Sequence, residues 1–193
     1  MTGIVILAAG SSSRLGKPKQ NLIYKDKTLL QRTINAALDT GCWPVIVVLG
    51  AKADLIKPII EDLPVEIIYN DDWEEGMSSS IRAGINKLQK NDFNVDSVIL
   101  MLCDQPFVDA EVLKQLIPAN SAKSITASAY NRAIGPPVFF DGYYFPELLL
   151  LQGNEGAKKL MLKYEVNITT IPFPLGSVDI DTAEDYENLK QNS

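Results

Sequence analysis

Short, largely apolar runs alternate with helix-patterned segments along this chain, and that alternation most narrows the folds open to it. The runs at 4–8, 45–49, 65–69 and 98–102 are bounded by Gly, Pro, Asn or Asp. Strands apolar on both faces are strands buried on both faces. Between the first two runs, Leu29, Leu30, Ile34, Ala37 and Leu38 share one face of a helix that Gly41 stops. Further helices are predicted near 52–61, 79–89, 109–116, 155–164 and 183–190. Strand, helix, strand in strict order predicts an α/β fold: a three-layer, mostly parallel sheet with right-handed crossovers and helices on both faces. Residues 124–140 break the rhythm. Two β-rich pieces, 124–130 and 137–140, flank 131–135 and predict a small antiparallel excursion, and a last strand near 167–172 precedes the final helix. With 193 residues and no linker rich in Gly, Ser or Pro, a single domain over 1–193 is expected.

Composition removes whole classes of chemistry. The chain has no histidine, which excludes Ser-His-Asp and Cys-His catalysis and His-ligated zinc. Its two cysteines cannot build a Cys₄ site; Cys42 and Cys103 are expected to be reduced core residues of a cytoplasmic protein. The start of the chain lacks the charged region and cleavage site of a signal peptide, so export is not expected. No apolar run approaches the roughly 17–25 residues of a membrane helix. A net charge of -6, from 18 basic and 24 acidic residues, is the opposite of the footprint of a protein that grips nucleic acid or an anionic membrane. No partner of either kind is expected, and a phosphate-bearing ligand must be small and held locally.

The loop after the first strand supplies the means. From Ala9 to Gln20 it combines small residues, Gly10, Ser11, Ser12 and Ser13, with the cations Arg14, Lys17 and Lys19. Small residues allow close backbone approach, successive N–H groups form anion nests, and the cations add attraction. It is not a Walker A loop, and its glycines, Gly10 and Gly16, are too far apart for G-x-G-x-x-G. In an open parallel sheet, ligands bind beyond the carboxyl ends of the strands, where this loop lies. Asp104, ending the run 98–103, falls on the same rim and suits Mg²⁺, which takes one or two protein carboxylates plus substrate phosphates. Asp181 has two readings: a capping partner of Glu184, or a metal ligand if Thr182 and Asp185 form the cap instead. Asp179 is a weaker candidate. Ser78, Ser79 and Ser80 open a helix, either as caps alone or as a small polar corner that reads a base or ribose. Trp73 and Met77 are expected to pack as a lid, and Arg82 to lie on the surface.

The string Leu7-Ala8-Ala9-Gly10-Ser11-Ser12-Ser13-Arg14-Leu15-Gly16, followed by Lys17 and Lys19, resembles the signature L-A-A-G-x-S-x-R-[FML]-G…K of the MobA-like nucleotidyltransferases, and within them most closely the molybdenum cofactor cytidylyltransferases. Later blocks fall in the family's order: Gly76 to Arg82, Leu102 to Pro106, Gly153 to Ala157, and Asp179 to Asp185. The resemblance implies a Rossmann-like, nucleotide-diphospho-sugar transferase-like fold. It implies catalytic roles for Arg14, Lys19 and Asp104, and nucleotide contacts from Leu7, Ala8, Ala9, Gly10, Ser11, Ser12, Ser13, Lys17, Ser79 and Ser80. It also implies Mg²⁺ on Asp104 with a second contact from Asp181, CTP as donor, and a molybdopterin-type phosphate acceptor. A molybdoenzyme or its maturation factor is the protein partner such an activity implies. Asn154 and Lys158 stand where the family usually shows Asp and Arg, and Pro136 where relatives often carry histidine, which puts the acceptor in question. Guanylyl transfer, cytidylyl transfer to a sugar or alcohol phosphate, and a non-catalytic molybdopterin carrier are the competing readings.

Overall fold

The computed structural model describes every residue except 91, 92, 121, 132, 192 and 193. Along the chain run β1 (Thr2–Ala8), β2 (Ile23–Tyr24), β3 (Lys27–Thr28), α1 (Leu29–Leu38), β4 (Val45–Leu49), α2 (Ala53–Ile56), β5 (Glu66–Tyr69) and α3 (Met77–Lys90). They are followed by β6 (Ser97–Leu102), α4 (Ala110–Leu116), β7 (Ile125–Tyr130), β8 (Ala133–Asp141), α5 (Phe145–Leu149), α6 (Lys158–Lys163), β9 (Ile168–Pro172) and α7 (Ala183–Gln191). Among the described residues the main sheet has seven strands in the order β5-β4-β1-β6-β8-β7-β9, and β2 pairs with β3 apart from it. Only β8 runs against its neighbours, pairing antiparallel with both β6 and β7. No described helix is long and apolar enough to cross a membrane.

Alternation along the strands makes the three layers. Ile4, Ile6, Val47 and Ile99 face a core shared with α1 and α4. Val5, Ile46, Val48, Val98 and Phe140 face the opposite core, against α3, α5 and α6. α1 starts firmly because Thr28 Oγ1 accepts the N–H of Gln31 while Gln31 Oε1 accepts the N–H of Thr28, each at 3.1 Å.

β2, β3 and α5 were not predicted, and of the bounds that differ from the sequence expectation three have a clear local reason. The helix predicted over 52–61 shrinks to α2 and a single 3₁₀ turn, Lys57–Ile59, since Pro58 lacks an N–H and restricts the residue before it. The helix predicted from 155 begins at Lys158, because Glu155 Oε2 accepts the N–H of Gln152 at 2.9 Å and closes a separate turn. β8 is longer than predicted, and its pairing with β7 slips between Ala127 and Ser128, beside the two donors that Pro136 and Pro137 lack.

The chain builds β1, β4 and β5 outward in one direction, then returns to place β6 on the other side of β1. A crevice opens beyond the carboxyl ends of strands at such a reversal. Register sharpens it: Leu7 pairs with Leu102, so the loop from Ala9 and the residues Cys103 and Asp104 leave the sheet at one level.

α3 lies close over β1 at Gly84, where a Cβ would press into the side chain of Val5. Val5 is fully buried and cannot swing away. Gly84→Ala should therefore destabilise the protein by about 1–3 kcal/mol despite alanine's better helix propensity. In urea unfolding, Gly84→Ala combined with Val5→Ala should cost less than the two single changes added together.

Candidate active site

Gln20, fully buried, shapes the loop after β1. Its Nε2 donates to Ala8 O at 2.8 Å and Gly10 O at 3.2 Å, and its Oε1 accepts from Ser12 Oγ at 3.4 Å. Ser12 takes a positive φ of 52°, and its Oγ accepts the N–H of Lys19 at 3.0 Å. The loop thus curls back on the 3₁₀ turn Lys19–Asn21 and aims Lys19 at the rim of β6. A cavity of about 190 Å³ lies along it, walled by Gly10, Ser11, Ser12, Ser13, Arg14, Lys19 and Asp181.

Three remote parts of the chain meet at the Lys19 ammonium. Nζ donates to Asp104 Oδ2 at 2.5 Å and Asp181 Oδ1 at 2.9 Å, and Arg14 Nη2 donates to Asp181 Oδ2 at 2.6 Å. The side chains of Lys19 and Asp104 are only 15% and 13% exposed, so each would be a costly charge without the other. Burial opposes the ammonium of Lys19, but the charge of Asp104 foremost, with the hydrogen bonds to Asp104 and Asp181, holds it above its ordinary value. Burial likewise opposes the Asp181 carboxylate, yet Lys19 and then Arg14 keep it below the usual range. Asp179 is displaced upward by burial and by the charges of Asp104 and Asp181.

Asp181 is free for this role because Thr182 and Asp185 cap α7 between them: Asp185 Oδ2 accepts the N–H of Thr182 at 2.7 Å and Thr182 Oγ1 accepts the N–H of Asp185 at 3.2 Å. Ile180 N donates to Asp104 O at 3.0 Å and fixes the two acidic segments side by side. Asp104 Oδ1 is buried without a hydrogen-bond partner. A hard cation suits that bare oxygen with Asp181 beside it. Among the described residues no three His, Cys, Asp or Glu side chains are grouped to hold a metal alone, so substrate oxygens would have to complete the shell, as they do for Mg²⁺. The thiol of Cys103 is pushed up to about 12, by burial and then by Asp104, and stays protonated.

A larger cavity, about 360 Å³, continues from Ala9, Gly10, Ser11 and Lys19 to Trp73, Gly76, Met77 and Ser80, with Asp104 and Asn154 on its walls. Its serines are not simple caps. Asn70, 6% exposed, donates from Nδ2 to Ser79 Oγ at 2.8 Å and Ser80 Oγ at 3.0 Å, and Ser79 Oγ donates to Gly76 O at 2.8 Å. A third cavity of about 280 Å³ shares Leu7, Met77, Leu102 and Asn154 with the second. Pro136, Asn154 and Lys158, the three departures from the family pattern, all line it.

Of the residues singled out in the sequence, Arg14, Lys19, Asp104 and Asp181 come together, and Leu7, Ala9, Gly10, Ser11, Ser12, Ser13 and Ser80 border the connected cavities. Ala8 offers its carbonyl to Gln20 while its side chain is in the core, and Ser79 works through Asn70. Lys17 is not in the cluster: its ammonium lies over the Tyr186 ring, 5.6 Å from the centroid. Sequence reading missed Gln20 and Asn70 as shaping residues. Gln20 closes the loop read from Ala9, whereas nothing marks Asn70 beyond its place just after a strand.

A model of the MobA-like NTP transferase domain matches residues 4–168. Nicotine blue oxidoreductase of Paenarthrobacter nicotinovorans is 27% identical over 195 residues, covering 97% of this chain and 92% of that protein. Molybdenum cofactor cytidylyltransferase of Escherichia coli is 24% identical over 191 residues, covering 97% and 94%. The crystal structure of Rv0371C in complex with manganese, from Mycobacterium tuberculosis, superposes with a TM-score of 0.81 at 28% identity, covering 100% of this chain and 98% of that one. With a sheet reversed beside β1, a phosphate-sized loop there and this match across most of its length, the chain belongs to the MobA-like NTP transferase family and is a nucleotidyltransferase.

Proposed function

We propose that the protein transfers CMP from CTP to the terminal phosphate of a molybdopterin-type cofactor in the cytoplasm, with Mg²⁺, releasing pyrophosphate. The observation that carries this reading is the meeting of Lys19, Asp104 and Asp181 beside the loop after β1. Arg14 and Lys19 hold the triphosphate, and the amides of residues 10–13 receive charge from it. Asp104 and Asp181 would hold Mg²⁺, which would supply further charge neutralisation on the phosphates; that a similar protein forms a complex with manganese supports a divalent ion. An acceptor phosphate oxygen attacks the α-phosphorus and the bond to the bridging β-oxygen breaks. The nucleophile is already an anion, so no side chain needs to remove a proton. Positioning and charge then carry the rate, consistent with a chain that has no histidine.

The base and ribose occupy the cavity bounded by Ala9, Trp73 and Ser80, and the acceptor occupies the adjoining one. The clustering of Pro136, Asn154 and Lys158 in that adjoining cavity favours a second reading, cytidylyl transfer to another phosphate monoester, because Lys is a point charge where Arg would grip a phosphate with two parallel bonds. The likeness to nicotine blue oxidoreductase offers a rival chemistry. Against it, Gly10 and Gly16 lack the spacing of a dinucleotide-binding loop.

Lys19→Ala should lower kcat/KM about 10²- to 10³-fold in a pyrophosphate-release assay with CTP and Mg²⁺; unchanged turnover would remove the assignment. Ala9 puts a methyl beside the base, so wild type should prefer CTP to GTP and Ala9→Gly should narrow the preference; equal use of both by wild type would refute this. The charges also set a pH range. Asp181, held low, contributes stability above the usual carboxylate range and loses it as pH falls through its depressed value; Lys19, held high, contributes below its ordinary value and loses it only as pH rises through the raised one. The stability difference between wild type and Asp181→Asn should accordingly be flat from about pH 6 to about pH 9 and shrink below about pH 4 in denaturant titrations.

A further inference from the structure

α3 begins where two loops interlock. Gly76, at φ 118°, approaches so closely that a Cβ there would sit 2.5 Å from Asn154 Oδ1. Ser78 donates to Gly153 O through its Oγ at 2.7 Å and its N–H at 3.2 Å. Arg82, one turn along, binds both sides at once. Its Nη1 donates to Leu151 O at 2.7 Å and to Ser78 Oγ at 3.1 Å, while Nη2 donates to Glu75 Oε2 at 2.5 Å. The side chain expected on the surface is 24% exposed.

Each loop has a residue of its own cavity and one that is shared: Trp73 and Gly76 wall the nucleotide-sized cavity, Gly156 walls its neighbour, and Met77 and Asn154 border both. Arg82 and residues 151–153 touch neither, lying together in an outer groove with Glu75. An exposed ion pair alone would be worth little. A guanidinium that also holds a carbonyl and a hydroxyl fixes three points with one planar group, which a lysine cannot do.

On the basis of the donor site proposed above, we propose that Arg82 is a positioning residue that latches the donor-side loop 73–78 to the acceptor-side loop 151–156, so that nucleotide bound on one side orders the other. Ordering completed by the first ligand is not required of the second, which couples the two sites without any contact between Arg82 and a substrate.

Hydrogen–deuterium exchange on the full chain, with and without CTP and Mg²⁺, tests this. In wild type, nucleotide should slow exchange at 9–13 and also at 151–153. In Arg82→Ala, slowing at 9–13 should persist and slowing at 151–153 should vanish, with CTP affinity weakened about 2- to 30-fold. Arg82→Lys should fall between, and Glu75→Gln should reduce the 151–153 response while the Leu151 bond remains. Equal nucleotide-induced slowing at 151–153 in wild type and Arg82→Ala would overturn the latch, and a lowered melting temperature would then mark a purely structural contact. No slowing at 9–13 in wild type would overturn the donor reading and the latch with it.

Discussion

One ammonium group organises the working end of this protein. Lys19 reaches Asp104, 85 residues away, and Asp181, 162 residues away, and no two of these segments are otherwise near in the chain. Burying a lone ammonium or carboxylate is expensive, so the three groups are stable only as a set. That requirement fixes the loop after β1, the end of β6 and the segment before α7 against one another. The same charges that satisfy each other in the free protein are those a polyphosphate and its metal would rearrange.

The sheet makes this meeting feasible. Because β6 returns to the far side of β1, two strand ends that are distant in sequence finish level, and the backbone bond from Ile180 to Asp104 brings in the third segment. Gln20 and Asn70 then do for the loops what hydrogen-bond ladders do for the strands. Each is buried, and each ties two or more points of irregular backbone or helix start together. Preorganised donors of this kind lose little freedom when a ligand arrives.

Much of this was legible in the sequence because it is written in local pattern. The parallel strands appear as apolar runs, and the loop after β1 appears as small residues with cations. The interruption at 124–140 announced β8. What stayed hidden depends on partners far along the chain. Arg82 looked like a surface residue since its environment is made by residues 75 and 151 together, and a single-residue pattern cannot show that. Lys17 and Lys19 were both placed at the nucleotide, but the 3₁₀ turn beginning at Lys19 sends only Lys19 inward. The choice between two caps for α7 likewise rested on Asp185 reaching back to Thr182, a geometry that spacing permits without requiring.

Asp181 follows every strand of the sheet, and that order has a consequence for biosynthesis. Translation delivers β1, its loop and β6 long before the segment that carries this carboxylate, which joins through the bond from Ile180 and the contacts to Lys19 and Arg14. A chain lacking that segment leaves Lys19 short of one carboxylate and Arg14 without its counter-ion. The corner is therefore assembled only after the last strand of the sheet has been made, by a segment that belongs to no strand.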